Sequence, residues 1–207
     1  MQELKNNKPV ELPFGKTIYQ TEQGQGISTD TAFLVKTVLE EEDGEIERLL
    51  ELGSGNGVIA IMLKYYRTKW EIRGIEILEH LVKLARSNSE LCGELIDFIQ
   101  ADIRDYNSID KFSIIISNPP YFREDSGKIS PVYERAVARH EILCSLVDII
   151  HNLGRNLQPG GRSYLLNLSS REAEIRELAA QENMMLDKIF RNISFLKSRT
   201  SIFRIRK

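Results

Sequence analysis

Apolar positions along this chain follow two alternating patterns: short runs rich in β-branched residues, and longer stretches in which apolar residues recur every three or four positions. The short runs predict strands at 48–52, 71–77, 96–101, 112–117 and 163–168, with two closing runs at 188–194 and 200–205. The longer pattern predicts helices at 29–42, 58–66, 79–91, 138–156 and 171–182. In the first, Ala32, Phe33, Leu34, Val38 and Leu39 set the spacing, and Ser28, Thr29 or Asp30 can serve as N-cap. In the long helix at 138–156, Ile142, Leu146, Ile149, Ile150 and Leu153 share a face, and Cys144 joins it as a core residue. Pro159-Gly160-Gly161 then turns the chain into the next strand.

Strands that alternate with helices need crossover connections, which gives an α/β domain with a mainly parallel sheet. The last two runs are joined by only residues 195–199, too few for a crossover, so they must pair antiparallel. Residues 1–28 read as a short polar arm, and nothing divides 1–207 into two domains.

Composition narrows the class of protein. Hydrophobic residues make up 42% and charged residues 28% of the 207 positions, an ordinary globular balance. No apolar run approaches the roughly 20 residues of a membrane span, and the polar start, Met1 to Asn7, does not read as a secretory signal. Cys92 and Cys144 stand far apart, without metal-ligand spacing or a disulfide framework, so a reduced cytoplasmic setting and no metal are expected. The net charge of −2 excludes a protein-wide basic field. From Lys188 to Lys207, however, there are seven basic residues and no acidic one. That stretch, Arg204 and Arg206 included, is either a phosphate-backbone footprint or the solvated face of the closing hairpin.

Candidate chemistry gathers where strands end. Glu51-Leu52-Gly53-Ser54-Gly55-Asn56-Gly57 runs from the first central strand into a helix with three glycines at alternate positions. Such a loop turns tightly and lets a ligand approach the backbone. It lacks both the dinucleotide spacing and the Lys-Ser/Thr ending of a phosphate loop, which suits a nucleoside without phosphate. Glu76 ends the second strand, where an acid can take both ribose hydroxyls, and Asp102 ends the third, where a carboxylate can accept from an exocyclic amine. Each acid alone would pass for surface charge or a helix cap; together with Glu51 and Asn118 they would line one crevice. Asn118-Pro119-Pro120-Tyr121 follows the strand at 112–117, its prolines holding Asn118 stiffly at the sheet edge. A carboxamide, carbonyls without competing prolyl N–H groups and a flat ring form a receptor for a planar NH₂; the tetrapeptide alone would equally serve as a strand-ending turn.

With these residues in place, the chain resembles S-adenosylmethionine-dependent methyltransferases of the seven-stranded Rossmann-like class. The Asn-Pro-Pro-Tyr form is that class's amino-methylating signature. More narrowly, it resembles the bacterial tRNA1(Val) (adenine-37-N6)-methyltransferase family from about Tyr19 to Lys207, including Thr29-Asp30-Thr31-Ala32, Phe122 and Ala138-Arg139-His140-Glu141. The resemblance implies helices on both faces of the sheet and S-adenosylmethionine as methyl donor, held by Thr29, Asp30, Glu51, Gly53, Ser54, Gly55, Gly57, Glu76, Ile77, Asp102, Ile103 and Asn118. Catalysis would fall to Asn118, Pro119, Pro120 and Tyr121, with Tyr121, Phe122, His140, Arg204 and Arg206 meeting an RNA, most simply a tRNA. His140, opening the long helix, suits RNA contact or structure better than catalysis.

Three rival functions remain at this stage. A glutamine amide presents the same NH₂, but protein-glutamine N5-methyltransferases have an added N-terminal helical domain, and only about 30 residues precede the first predicted helix here. DNA adenine methylation would call for a target-recognition domain. A non-catalytic nucleoside-binding scaffold would gain nothing from the tetrapeptide.

Overall fold

Neighbouring residues on the central strands belong to different hydrophobic cores, as expected of a sheet covered on both faces. Leu49, Ile72, Ile114, Tyr164 and Ile202 face one core; Leu50, Leu52, Ile75, Ile115, Leu165 and Phe203 face the other. The computed structural model describes residues 7–22, 28–119, 144–191 and 199–207. In chain order the elements are β1 (Asn7–Glu11), β2 (Thr17–Thr21), α1 (Thr29–Glu41), β3 (Arg48–Leu52), α2 (Val58–Tyr66), β4 (Glu71–Glu76), α3 (Glu79–Cys92), β5 (Asp97–Gln100), β6 (Phe112–Ser117), α4 (Leu146–Asn156), β7 (Leu157–Leu168), a 3₁₀ turn (Ser169–Arg171), α5 (Glu172–Gln181), β8 (Met185–Arg191) and β9 (Thr200–Arg206). Helices α1, α2 and α3 cover the first core, and α4 and α5 the second.

The seven-stranded order is β5-β4-β3-β6-β7-β9-β8. Strands β3 to β7 run parallel, and β9 lies antiparallel between β7 and β8, as the short final connection requires. The chain starts at the centre with β3, works outward to β5, then returns to β6 on the other side of β3. This places a topological switch point between the carboxyl ends of β3 and β6, where ligands bind in open α/β sheets. Leu52 pairs with Ser117 there, and the Ser117 hydroxyl donates to the Leu52 carbonyl at 3.1 Å.

Several expectations change in detail. The polar arm contains a hairpin, β1 with β2, whose Leu12 and Ile18 are buried in the first core. Val10, Leu12 and Phe14 at alternate positions, followed by Gly15 and then Ile18, are its sequence signal. Ser28 is the residue that caps α1. The long helix does not start at 138: Cys144 and Ser145 precede it, and α4 opens at Leu146. The reason is local. Ser145 accepts from the Asp148 amide while the Asp148 carboxylate accepts from the Ser145 amide, a capping box written in Ser145-Leu-Val-Asp148. Cys144 therefore lies before the helix, partly buried against the second core, and Ile142 falls outside the described residues. The third strand ends at Gln100, so Asp102 lies two residues beyond it. Pro159-Gly160-Gly161 sits inside β7, where the pairing with β6 jumps from Leu157 to Arg162 and Gly160 takes a φ of 76°.

One packing relation fixes the glycine loop. A Cβ at Gly74, on β4, would stand 2.5 Å from the Phe98 ring and 2.9 Å from Ser54 Cβ; one at Gly57 would stand 2.8 Å from the same ring and 3.1 Å from Ala85. Phe98, fully buried on β5, thus fits under the loop only because two side chains are missing. Gly74→Ala is expected to lower unfolding free energy by ~1–3 kcal/mol, the usual cost of overpacking. Urea denaturation will measure it, and Phe98→Leu in the same chain should recover part of the loss.

Candidate functional site at the switch point

The loop from Gly53 to Gly57 joins β3 to α2 through three residues of positive φ: Gly53 at 73°, Gly55 at 53° and Gly57 at 83°. Its amides turn inward. Those of Gly53 and Ser54 donate to the Ile75 carbonyl, Gly57 to the Ser54 carbonyl, and Gly55 to Glu76 Oε2 at 3.0 Å. A phosphate loop keeps such donors for its ligand; this one spends them on the protein, which fits a ligand without phosphate. Nothing lies within 4 Å of where a Cβ would project from Gly53 or Gly55, so the loop borders open space. Ser54 Oγ is buried and has no hydrogen-bond partner among the described residues. Open space over Gly53 and Gly55, flanked by carboxylates, suits the nucleoside end and the cationic centre of S-adenosylmethionine.

The carboxylates differ in environment. Glu51, only 2% exposed, points from β3 toward the start of α2, where its Oε2 accepts from the Ala60 amide at 3.2 Å. Burial pushes its pKa up to about 8; the Ala60 hydrogen bond opposes this and the nearby Glu76 adds to it. Glu51 is therefore mostly protonated at neutral pH. Glu76, at the end of β4, accepts from Gly55 on one oxygen and from Leu78 on the other at 3.0 Å each. Burial raises its pKa too, against those amide hydrogen bonds and the field of His80. Asp102 is engaged by the Arg104 guanidinium through both oxygens and by the Arg104 amide, which holds its carboxyl below the ordinary range.

The remaining candidates fall into two groups. Asn118 is half-buried and Pro119 buried, directly after Ser117 and so beside the glycine loop. Thr29 is exposed on the first turn of α1, and Asp30 accepts from the Thr200 hydroxyl at 2.9 Å, which ties that turn to the start of β9. Ile77 and Ile103 follow β4 and β5 at the same edge; the Ile77 carbonyl accepts from Gln100 and that of Ile103 from Asn152. Pro120, Tyr121, Phe122 and His140 lie outside the described residues.

Arg204 and Arg206 do not join this crevice. Arg204 pairs with Tyr164 in mid-sheet and Arg206 with Arg162, toward the opposite edge. Arg204 is gripped by Asp187 and Glu41, Arg206 approaches Asp187 at 3.7 Å, and Lys188 pairs with Glu41. Lys188, Arg204 and Arg206 are thus met by acids that arrive from α1 and β8, which a one-dimensional charge count misses. Sequence reasoning also passed over Gly74 and Asn88, whose signals (a glycine inside a strand, a polar residue on a helix face turned to the core) become specific only once Phe98 and Tyr19 are placed beside them.

No group of three metal-binding side chains occurs among the described residues, and none of their helices is long and apolar enough to cross a membrane.

Comparison with known proteins follows the same outline. The family model of the methyltransferase small domain matches residues 24–205. A tRNA1(Val) (adenine(37)-N6)-methyltransferase of Porphyromonas gingivalis is 28% identical over 83% of this chain and 70% of its own length. A release factor glutamine methyltransferase of Lactococcus lactis is 36% identical over 46% of this chain, and the match spans only 35% of that protein. The solved T. thermophilus 16S rRNA N2 G1207 methyltransferase, in complex with AdoMet and guanosine, shares the fold with a TM-score of 0.70 at 16% identity, covering 97% of this chain and 50% of that one.

The buried acids set a pH dependence of stability. Glu51 holds its proton more tightly folded, at about 8, than at its ordinary value of 4.5. Its stabilising share is thus complete below about 4.5 and is lost as pH rises toward 8. Urea unfolding from pH 5 to 9 should show stability falling across this window in the native sequence, with a flatter profile in Glu51→Gln.

Proposed function

Because the chain belongs to the methyltransferase small domain family, we propose that it methylates the N6 nitrogen of adenine in RNA, with tRNA as the carrier and S-adenosylmethionine as donor. The single observation behind this reading is the place of Asn118-Pro119: immediately after β6, at the switch point, with the preceding Ser117 hydrogen-bonded to the strand that enters the glycine loop. The likeness to the P. gingivalis protein along 83% of the chain supports adenine in tRNA as the acceptor.

The donor would be held by Thr29 and Asp30 from α1, by Gly53, Ser54, Gly55 and Gly57, and by Glu51, Glu76, Ile77, Asp102 and Ile103. Glu76 would receive the ribose hydroxyls on lone pairs left over from its two amide bonds, and Asp102 an exocyclic amine beside its Arg104 contact. When bound, S-adenosylmethionine supplies a methyl group on a sulfonium cation, open to in-line displacement at carbon without metal or covalent intermediate. The protein's task is alignment, which can supply ~7–11 kcal/mol of the barrier. An adenine amine is a poor nucleophile because its lone pair is delocalised into the ring. The Asn118 side-chain oxygen and the Pro119 carbonyl would each accept one of its N–H groups, holding the nitrogen with its lone pair free for the methyl. Tyr121 would stack on the base, a contact worth ~1–3 kcal/mol, with Phe122 and His140 as neighbours of the acceptor.

Glutamine N5-methylation is the second reading. The same two acceptors fit a side-chain carboxamide, and the match to the L. lactis release factor enzyme, 36% identical over 46% of this chain, favours it.

Asn118→Ala should reduce the turnover number by ~10²–10³, the cost of losing one hydrogen bond aimed at the reacting centre, while donor binding persists. Normal turnover in that variant would remove Asn118 from the mechanism. Incubation with labelled donor and, in parallel, tRNA, RNA-free cell protein or duplex DNA will settle the acceptor; label confined to protein would replace the first reading with the second.

A further inference from the structure

Asn88 is the polar side chain with the most complete buried hydrogen bonding on the donor side of the fold. It lies on α3, fully buried, one turn beyond the Ala85 that packs against Gly57. Its Oδ1 accepts from the Tyr19 amide at 2.8 Å; its Nδ2 donates to the Tyr19 carbonyl at 2.8 Å and to the Asn56 carbonyl at 2.9 Å. Asn56 in turn donates its own Nδ2 to the Tyr19 carbonyl at 3.2 Å. The Tyr19 carbonyl therefore has both lone pairs filled, and both Asn88 amide hydrogens are used. Only one orientation of the Asn88 amide satisfies all three backbone partners.

This arrangement joins three pieces of chain that share no strand pairing. Tyr19 belongs to a two-stranded hairpin separate from the main sheet, Asn88 to α3, and Asn56 stands between Gly55 and Gly57 in the glycine loop. The hairpin ends two residues after Tyr19, at Thr21, where the chain sets off toward Thr29 and Asp30. We infer that Asn88 is a positioning residue for the donor pocket, clipping the N-terminal hairpin to the glycine loop so that both sides of the pocket are set by one amide.

Phe98 packing and the amide bonds to Ile75, Ser54 and Glu76 hold the loop at Gly53, Ser54, Gly55 and Gly57, and the Asn56 carbonyl between them is met by the Asn88 amide. Asn88 thus supplies the restraint at Asn56. Hairpin packing through Leu12 and Ile18 could hold the arm against the core but cannot set the loop, because neither residue reaches it by a hydrogen bond among the described residues.

The inference rests on the reading that this crevice holds the methyl donor, so the test measures donor binding directly. S-adenosylhomocysteine is titrated calorimetrically into the full chain and into Asn88→Ser and Asn88→Asp, with thermal unfolding of each; Ile18→Ala, which weakens hairpin packing but leaves the clip, is the control. The Asn88 variants should weaken binding by ~10-fold or more, as expected for leaving buried backbone groups unpaired, with turnover at saturating donor close to that of the native sequence. Ile18→Ala should lose thermal stability with donor affinity little changed. Should either Asn88 variant fail to fold, Asn88→Gln, which keeps the amide but moves it by one methylene away from Tyr19 and Asn56, provides the same readout. Native-like donor affinity in a folded variant of the clip, or a loss no greater than that of Ile18→Ala, overturns the inference. A native chain that binds no S-adenosylhomocysteine instead overturns the reading on which it rests.

Discussion

The site depends on a ring and two absences. Phe98 lies beneath the glycine loop because neither Gly57 nor Gly74 has a side chain to exclude it, and the ring in turn supports the loop at the level of the strand ends. A larger residue at either glycine would have to displace a buried aromatic flanked by Ala85 and Ser54, in an interior packed about as densely as an organic crystal. Loop, strand β4 and strand β5 are thus fitted as a unit, so Glu76 and the segment that leads to Asp102 emerge at fixed places around the loop.

On that support the chain makes a receptor from main-chain hydrogen bonds more than from side-chain pairs. The loop's amides are satisfied by Ile75, Ser54 and Glu76, and Glu51 answers the first turn of α2. Burial, with the nearby Glu76 adding to it, raises the proton affinity of Glu51. At the far side of the switch point, Pro119, a residue type that has no backbone donor and a fixed φ, follows β6 and Asn118. These features together describe an open, phosphate-free loop beside the end of β6.

The core architecture was legible because period-two and period-3.6 patterns are strong where an element is covered by the sheet: all seven main strands and five helices follow from them. The acids and glycines at strand ends were legible for a related reason, since α/β topology sends every such end to one edge. What the chain text concealed had short range or depended on partners. Ser145 and Asp148 start a helix eight residues later than the predicted start at 138, because a cap outranks periodicity at an end. The hairpin at Asn7–Thr21 hid in a stretch with only a few apolar residues. The charge of Arg204 looked available until Asp187 and Glu41, 17 and 163 positions away, came to meet it.

That last pairing bears on how the molecule would greet a polyanion. Lys188 and Arg204, already paired with folded-in carboxylates, have fewer bound counterions to release when phosphate approaches, which lowers their share of the entropic gain behind non-specific nucleic-acid adhesion. With a net charge of −2 as well, long-range attraction is faint.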